Sequence, residues 1–303
     1  MTTTVGFVGL GNIGRPMALR LAQQQEAADL EVWVYDVAPD PLAEAERAGA
    51  RVAGSVAELA GRVDVLGVMV RDDDQVRDVL AEALRGAVGL EDDRLTVVIH
   101  STVAPTTPAE LEATAARHGV RLLDAPVSGG AMGATDGSLA LMVGGSDAAF
   151  AAAEPVLRVL GSKVVHAGPI GSGTKFKLAR NMMHFVAFTA ATEAQRLAEA
   201  AGLSLKDLGE VVRHTDAITG GPGAIMHRET TAPLDPGDFW HGVFANVTSL
   251  GEKDLGFAIQ LAHELGVDVP LAELAVDRLG PGLGLPTAAP TTPTTTPTAA
   301  GEH

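Results

Sequence analysis

The chain has 303 residues, 46% of them apolar, with a formal net charge of −16 and no cysteine. That length supports two domains with cores of their own. The acidic balance disfavours nucleic acid as a partner, and the missing thiols exclude disulfides, thiolate catalysis and cysteine-based zinc sites. The nine histidines show neither H-x-H nor H-E-x-x-H spacing, so no metal is expected. The longest apolar uncharged run, Met182 to Thr192, falls far short of the ~20 residues of a membrane span. Met1 to Thr4 lack a basic or apolar leader pattern, and a soluble cytoplasmic protein is expected.

Thr4 to Gly9 reads as a buried strand, and a helical pattern runs from Ile13 to Gln25. Between them lies Gly9-Leu10-Gly11-Asn12-Ile13-Gly14, a G-x-G-x-x-G turn set directly after a strand and before a helix. Gly9 permits the tight turn, Gly11 lets backbone approach a pyrophosphate, and Gly14 lets helix and strand pack closely. A second strand, Glu31 to Asp36, ends in a carboxylate 22 residues past Gly14. There it would accept the adenosine ribose hydroxyls and repel a 2′-phosphate. Val37-Ala38-Pro39 follows without a cation, so NAD is favoured over NADP. The same glycines also serve an ordinary strand–turn–helix.

Further strands are expected at Val63–Val70 and Leu95–His100, with helices near Pro41–Ala48, Asp74–Leu84 and Pro108–His118. Asp74 is an expected N-cap, with Arg71 to Asp74 a solvated helix entry. Thr107 is an expected N-cap in a capping box with Glu110. Val70-Arg71 and Ser101-Thr102 end strands where a cofactor crevice belongs, although Ser and Thr serve equally as helix-entry turns. Leu122–Asp124, Leu139–Val143 and Lys163–His166 complete the strand set. Strands alternating with helices predict an α/β, doubly wound, Rossmann-type domain over residues 1–170. In Asp124-Ala125-Pro126-Val127-Ser128-Gly129-Gly130, the Ser128 hydroxyl and the amides of Gly129 and Gly130 suit a substrate carboxylate. A plain turn after an edge strand fits that segment too.

From Thr174 to Ala201 there is neither proline nor glycine, which predicts a helix of roughly 28 residues, or ~42 Å. Helices near Ser204–Arg213, Phe244–Leu265 and Leu271–Leu279 follow. Residues 171–280 are therefore expected to form an all-α domain joined to the first by the long helix. Residues 281–303, rich in Pro, Thr and Ala, form an expected disordered tail. The chain carries 17 arginines and only five lysines, and a lysine can shed its proton where arginine cannot. Lys177 shares a helix face with Asn181 at i+4.

Four segments in register resemble the β-hydroxyacid dehydrogenase family of the 3-hydroxyisobutyrate dehydrogenase type. They are Gly6 to Ala18, Asp124 to Gly130, Gly171-Ser172-Gly173-Thr174-Lys175-Phe176-Lys177 with Asn181, and Glu252 to Ala258. The resemblance spans residues 4 to 280. It implies Lys177 as the catalytic acid/base, and Ser128, Gly129, Gly130, Asn181 and Lys253 around the substrate. The G-x-G-x-x-G residues, Asp36, Val70, Arg71, Thr102 and Lys253 would contact the cofactor. It also implies a small hydroxy acid as substrate and a homodimer or homotetramer, with residues 171–280 serving substrate binding and dimerisation. Arg180 stands where relatives usually carry Asn or His, and Arg71 replaces a common proline. Rival readings are an imine reductase on the same fold, disfavoured by Lys177; a decarboxylating 6-phosphogluconate dehydrogenase, disfavoured by the size of the helical domain; and a non-catalytic dinucleotide-binding module.

Overall fold

A computed structural model describes residues 2–91 and 94–286. It divides into two compact units, residues 1–181 and residues from 182 onward. Among the described residues no helix is long and apolar enough to cross a membrane.

The first unit alternates strands and helices: β1 (Thr3–Val8), α1 (Gly14–Gln23), α2 (Gln25–Ala28), β2 (Leu30–Tyr35), α3 (Pro39–Arg47), β3 (Arg51–Val52), α4 (Val56–Ala60), β4 (Val65–Val68), α5 (Asp73–Gly86), β5 (Thr96–Ile99), α6 (Thr107–Ala116), β6 (Arg121–Asp124), β7 (Val127–Ser128), α7 (Gly130–Asp136), β8 (Ala140–Gly144), α8 (Asp147–Leu160) and β9 (Lys163–Gly168). The sheet order is β3-β2-β1-β4-β5-β6-β8-β7, with β9 on β8. All pairs from β3 to β6 are parallel. The chain starts at β1, winds outward to β3, then returns to β4 and winds the other way. This is the doubly wound order the alternating pattern predicts, with its switch point between β1 and β4. Both sheet faces are covered by helices, so the strands read as apolar runs. Phe7, Val98 and Leu123 point into one core with Met17, Leu21 and Leu157. Leu66, Val97 and Ile99 point into the other with Leu59 and Leu80.

The second half of the chain is helical. α9 (Ser172–Ala200) runs 29 residues and is followed by α10 (Leu205–Thr219), a 3₁₀ turn (Gly221–Ile225), α11 (Phe239–Glu264) and α12 (Pro270–Gly282). The long helix begins two residues before its expected start because Ser172 and Gly173 enter its first turn. α12 likewise takes in Pro281 and Gly282, which the expected tail included. Residues 283–286 of that tail are described too, with Leu283 buried, and the part from residue 287 lies outside the described residues.

Two caps differ from expectation. Asp72, not Asp74, caps α5, its side chain accepting from the Gln75 amide at 2.9 Å. Thr107 is the first residue of α6 and forms no capping box. Its hydroxyl is committed to the Asp73 carboxylate, while Glu110 pairs with Arg77 at 3.2 Å. The short elements β3, α4 and α7, and the helix α8, have no counterpart among the expected elements.

Candidate active site

The carboxyl ends of five neighbouring strands, β2-β1-β4-β5-β6, share one sheet edge, and most expected site residues lie along it. At the switch point a cleft of about 540 Å³ is lined by Gly9, Gly11, Asn12, Ile13, Gly14, Asp36, Val70 and Arg71, among others. Gly9 has φ +91°, and a Cβ there would meet the Met69 carbonyl oxygen at 2.2 Å. A Cβ on Gly14 would lie 1.9 Å from the Gly9 oxygen, whereas one on Gly11 would meet nothing within 4 Å. Two glycines thus close the turn and the third leaves open space before the start of α1. That combination fits a dinucleotide: a bare backbone approach, a helix N-terminus for phosphate charge, and a carboxylate at the end of β2. Asp36 also holds the turn itself. Its two oxygens accept from the Leu10 amide at 2.5 Å and the Ala38 amide at 2.8 Å, which leaves lone pairs for ribose hydroxyls.

The next strand ends are tied to each other. The buried Ser101 hydroxyl donates to the Val70 carbonyl and accepts from the Val70 amide, both at 2.8 Å. It is therefore spent on positioning the loop after β4, and Thr102 beside it is exposed. Asp73 accepts from the Ala104 amide at 3.0 Å, joining the same two loops. The Thr107 hydroxyl beside Asp73 holds its carboxyl below the usual range. Arg71 extends into solvent from the cleft rim, 3.6 Å from Asp72.

Past β6, the site centres on Lys177. Its side chain is buried, the residue being 8% exposed. Its Nζ donates to the Val127 carbonyl at 2.6 Å and to Ser128 Oγ at 2.8 Å. Burial, with the Arg180 guanidinium second, lowers its pKa to about 8. Both causes disfavour the charged form. Asn181, one turn on, accepts from Arg180 at 3.3 Å. Gly129 and Gly130 follow Ser128 with φ +134° and +65°, conformations open to glycine but strained for other residues.

Lys253 lies on α11 in the second unit, exposed and 3.2 Å from Asp254. His100 is a core residue: it stacks on Phe7, its Nδ1 bonds the Ala125 carbonyl at 2.9 Å, and burial lowers its pKa to about 4. Among the described residues no group of three or more His, Cys, Asp or Glu is placed to hold a metal. Sequence reasoning passes over the roles of Ser101, Asp73 and the carboxylate of Asp124. Asp124 is visible in sequence as an acidic residue closing an apolar strand, but its partners lie about fifty residues away.

Residues 4–168 match the NAD-binding domain of 6-phosphogluconate dehydrogenase, and residues 171–279 match the NAD-binding domain of NADP-dependent 3-hydroxyisobutyrate dehydrogenase. An uncharacterized oxidoreductase of Mycobacterium tuberculosis is 45% identical over 285 residues, covering 94% of this chain and 95% of the relative. The crystal structure of an oxidoreductase from Mycobacterium avium is 44% identical and aligns with a TM-score of 0.88 over 94% of this chain and 100% of that one. The M. tuberculosis 3-hydroxyisobutyrate dehydrogenase solved with L-serine is 33% identical, with a TM-score of 0.63 over 92% and 93% of the two chains. An imine reductase from Myxococcus stipitatus solved with NAD+, 22% identical at a TM-score of 0.72 over 92% and 93%, shares the fold. With a dinucleotide cleft at the switch point and matches along both halves, the chain belongs to the β-hydroxyacid dehydrogenase family: it is an NAD(P)-binding oxidoreductase, a dehydrogenase acting on CH–OH groups.

Proposed function

We propose that the protein interconverts a small 3-hydroxy acid and its semialdehyde with NAD+, and that Lys177 is the general acid/base. One observation carries this reading: a buried amine, its pKa lowered to about 8, held by Val127 and Ser128 just past the end of β6. Strand spacing puts that end roughly 10 Å along the edge from β4, in line with the cleft. At pH 8 an ordinary lysine is only about 0.4% neutral, whereas one with the lowered value is about half neutral. Neutral Lys177 takes the hydroxyl proton of the substrate, and in reverse the ammonium returns it to the carbonyl oxygen. When bound, the nicotinamide supplies hydride acceptance. Ser128, with the amides of Gly129 and Gly130, receives the substrate carboxylate, and Asn181 orients the carbinol. Arg71 and Thr102 flank the dinucleotide.

Asp36, with no cation in the next three residues, supports NAD over NADP. The cysteine-free sequence fits a reducing cytoplasm. Assembly as a homodimer or homotetramer is supported by the helical unit, where Met182, Phe185 and Phe188 on α9 and Ile218 on α10 are all more than half exposed. Apolar surface in that quantity marks an interface, and a second copy related by symmetry is the commonest cover.

The test is turnover of 3-hydroxyisobutyrate, glycerate, 4-hydroxybutyrate and serine with NAD+ and NADP+, and of a cyclic imine with the reduced cofactors. Wild type should oxidise at least one hydroxy acid, preferring NAD+. Lys177→Ala should lose about 10²- to 10⁴-fold in kcat with dinucleotide affinity retained. Undiminished turnover by that variant, or reduction of the imine without oxidation of any hydroxy acid, overturns the reading.

A further inference from the structure

Lys177 keeps its two partners only if α9 starts in a fixed register, and the fixing group is a carboxylate outside the proposed chemistry. Asp124, the last residue of β6, is fully buried. Its Oδ1 accepts from the Gly171 amide at 2.7 Å and its Oδ2 from the Thr174 amide at 2.6 Å. Burial raises the pKa of this carboxyl despite the opposing pull of the two backbone amides. The surroundings leave the helix start no slack. A Cβ on Gly173 would lie 2.1 Å from the Met142 carbonyl oxygen, and one on Gly144 would lie 2.3 Å from Asp124 Oδ1.

Two rungs therefore join the same pair of segments. Asp124 holds residues 171 and 174; Val127 and Ser128, three and four residues later, hold Lys177, three residues past Thr174. On a helix, positions three apart share a face. A change at the first rung moves the second.

We infer that Asp124 is a positioning residue for Lys177: its carboxylate seats the first turn of α9 and so sets where the lysine amine stands against Val127 and Ser128. A side-chain amide cannot replace it. In Asp124→Asn the side chain offers one acceptor and turns an NH₂ toward the other backbone amide, leaving a buried donor facing a donor. The first turn would shift, the amine would reach more water, and its pKa would climb back toward the ordinary lysine range.

This inference rests on the proposed role of Lys177 only for its kinetic arm. The chain has five lysines, so lysine Cε-labelled protein gives a five-signal NMR spectrum in which Lys177→Arg identifies one. That signal can be titrated in wild type, in Asp124→Asn, and in Asp124→Ser, which removes the carboxylate without burying an opposed amide. Fluorescence of bound reduced dinucleotide reports on folding. The expected result is a Lys177 pKa at least one unit higher in both variants, with dinucleotide affinity within threefold of wild type. kcat for alcohol oxidation should fall about 10- to 100-fold, and its pH limb should move up with the amine. An unmoved Lys177 titration in folded variants overturns the proposal. Loss of dinucleotide binding by both variants also overturns it, by assigning the carboxylate to folding alone. A shifted amine with unchanged kcat keeps the positioning role and sinks the proposed general base instead.

Discussion

Between Thr3 and Gly168 the chain buries most of its large apolar side chains. Each face of the sheet has its own apolar core, and residues such as Phe7, Leu66 and Leu123 are almost wholly covered. In the helical unit, α10 buries no residue at all, and the buried apolar residues among those described are Ala198, Leu234, Phe244, Ala262, Val269 and Leu283. Yet its helices are not polar: Phe239 and Phe257 on α11 and Ile218 on α10 stand more than 60% exposed. Hydrophobic burial is the main favourable term in folding. Covering this much apolar side chain would stabilise the unit further. One region is therefore a cofactor platform with cores of its own, while the other offers the apolar face on which the proposed assembly rests.

The sharpest break of that contrast is a pair of charges on the apolar face of α9. If a second copy covers it, Phe185→Glu with Phe188→Glu buries four unpaired carboxylates across a two-fold interface. The dissociation constant should then rise at least about 10³-fold, read by sedimentation velocity. Val88→Glu, more exposed still but in the sheet unit, should leave assembly unchanged. A wild type that sediments as a monomer at high concentration removes the idea of a second copy. Next in size is the core itself. Leu123→Ala should cost about 2–5 kcal/mol in denaturant unfolding. Val211→Ala on exposed α10 should cost well under half of that unless the face is covered, so its value measures the cover.

The same contrast explains what the sequence discloses. The sheet unit is legible because each element carries its own signal: apolar runs for strands buried on both faces, a glycine turn at the switch point, Asp36 at the end of β2. The long helix is legible from its lack of proline and glycine, and the i+4 spacing puts Lys177 and Asn181 on one of its faces. What escapes is whatever depends on a distant partner. Thr107 has the sequence of an N-cap, but the Asp73 carboxylate, 34 residues away, takes its hydroxyl. Ser101 offers a hydroxyl in sequence and has none to spare in space. α7 is hidden because it opens on Gly130 and closes at Gly137 with almost no apolar periodicity. α8 is hidden by Pro155, which sits inside it. In the helical unit the periodicities announce helices but cannot say what they pack against.

A smaller effect tests whether the sheet unit gives up stability for its site. In the unfolded chain Lys177 should hold its proton up to about pH 10.4, whereas the folded amine sheds it at about 8. Folding therefore expels a proton in that window, and stability rises with pH through it. Above the window the amine is neutral in both states and costs nothing; below about 8 the full penalty of a buried charge is present. Lys177→Met, which keeps the stem and removes the charge, should be more stable than wild type by about 1–3 kcal/mol at pH 7. The gain should shrink steadily between pH 8 and 10.4, while activity is lost throughout. Equal or lower stability of the variant at pH 7 would mean that Val127 and Ser128 fully compensate the burial.

The smallest effect lies in the helical unit, at Glu193, a carboxyl group buried among its described residues. α12 starts after Val269, which has no side-chain acceptor, with Pro270 in its first turn. Its free amides are met from α9 instead: Glu193, buried, accepts from Leu271 at 2.9 Å and from Ala272 at 3.1 Å, one on each oxygen. A carboxylate there satisfies two orphan donors and complements the positive end of the helix. Glu193→Gln keeps one acceptor and opposes a donor to the other amide, so it should cost about 1 kcal/mol, seen as a lower denaturant midpoint. Because the group is buried, that loss should be the same at low and high salt. If the sheet unit unfolds independently, hydrogen exchange should show the loss in α12 and not in β1 or β4. Equal loss of protection in both would show the helical unit to be no separate partner but part of one cooperative fold.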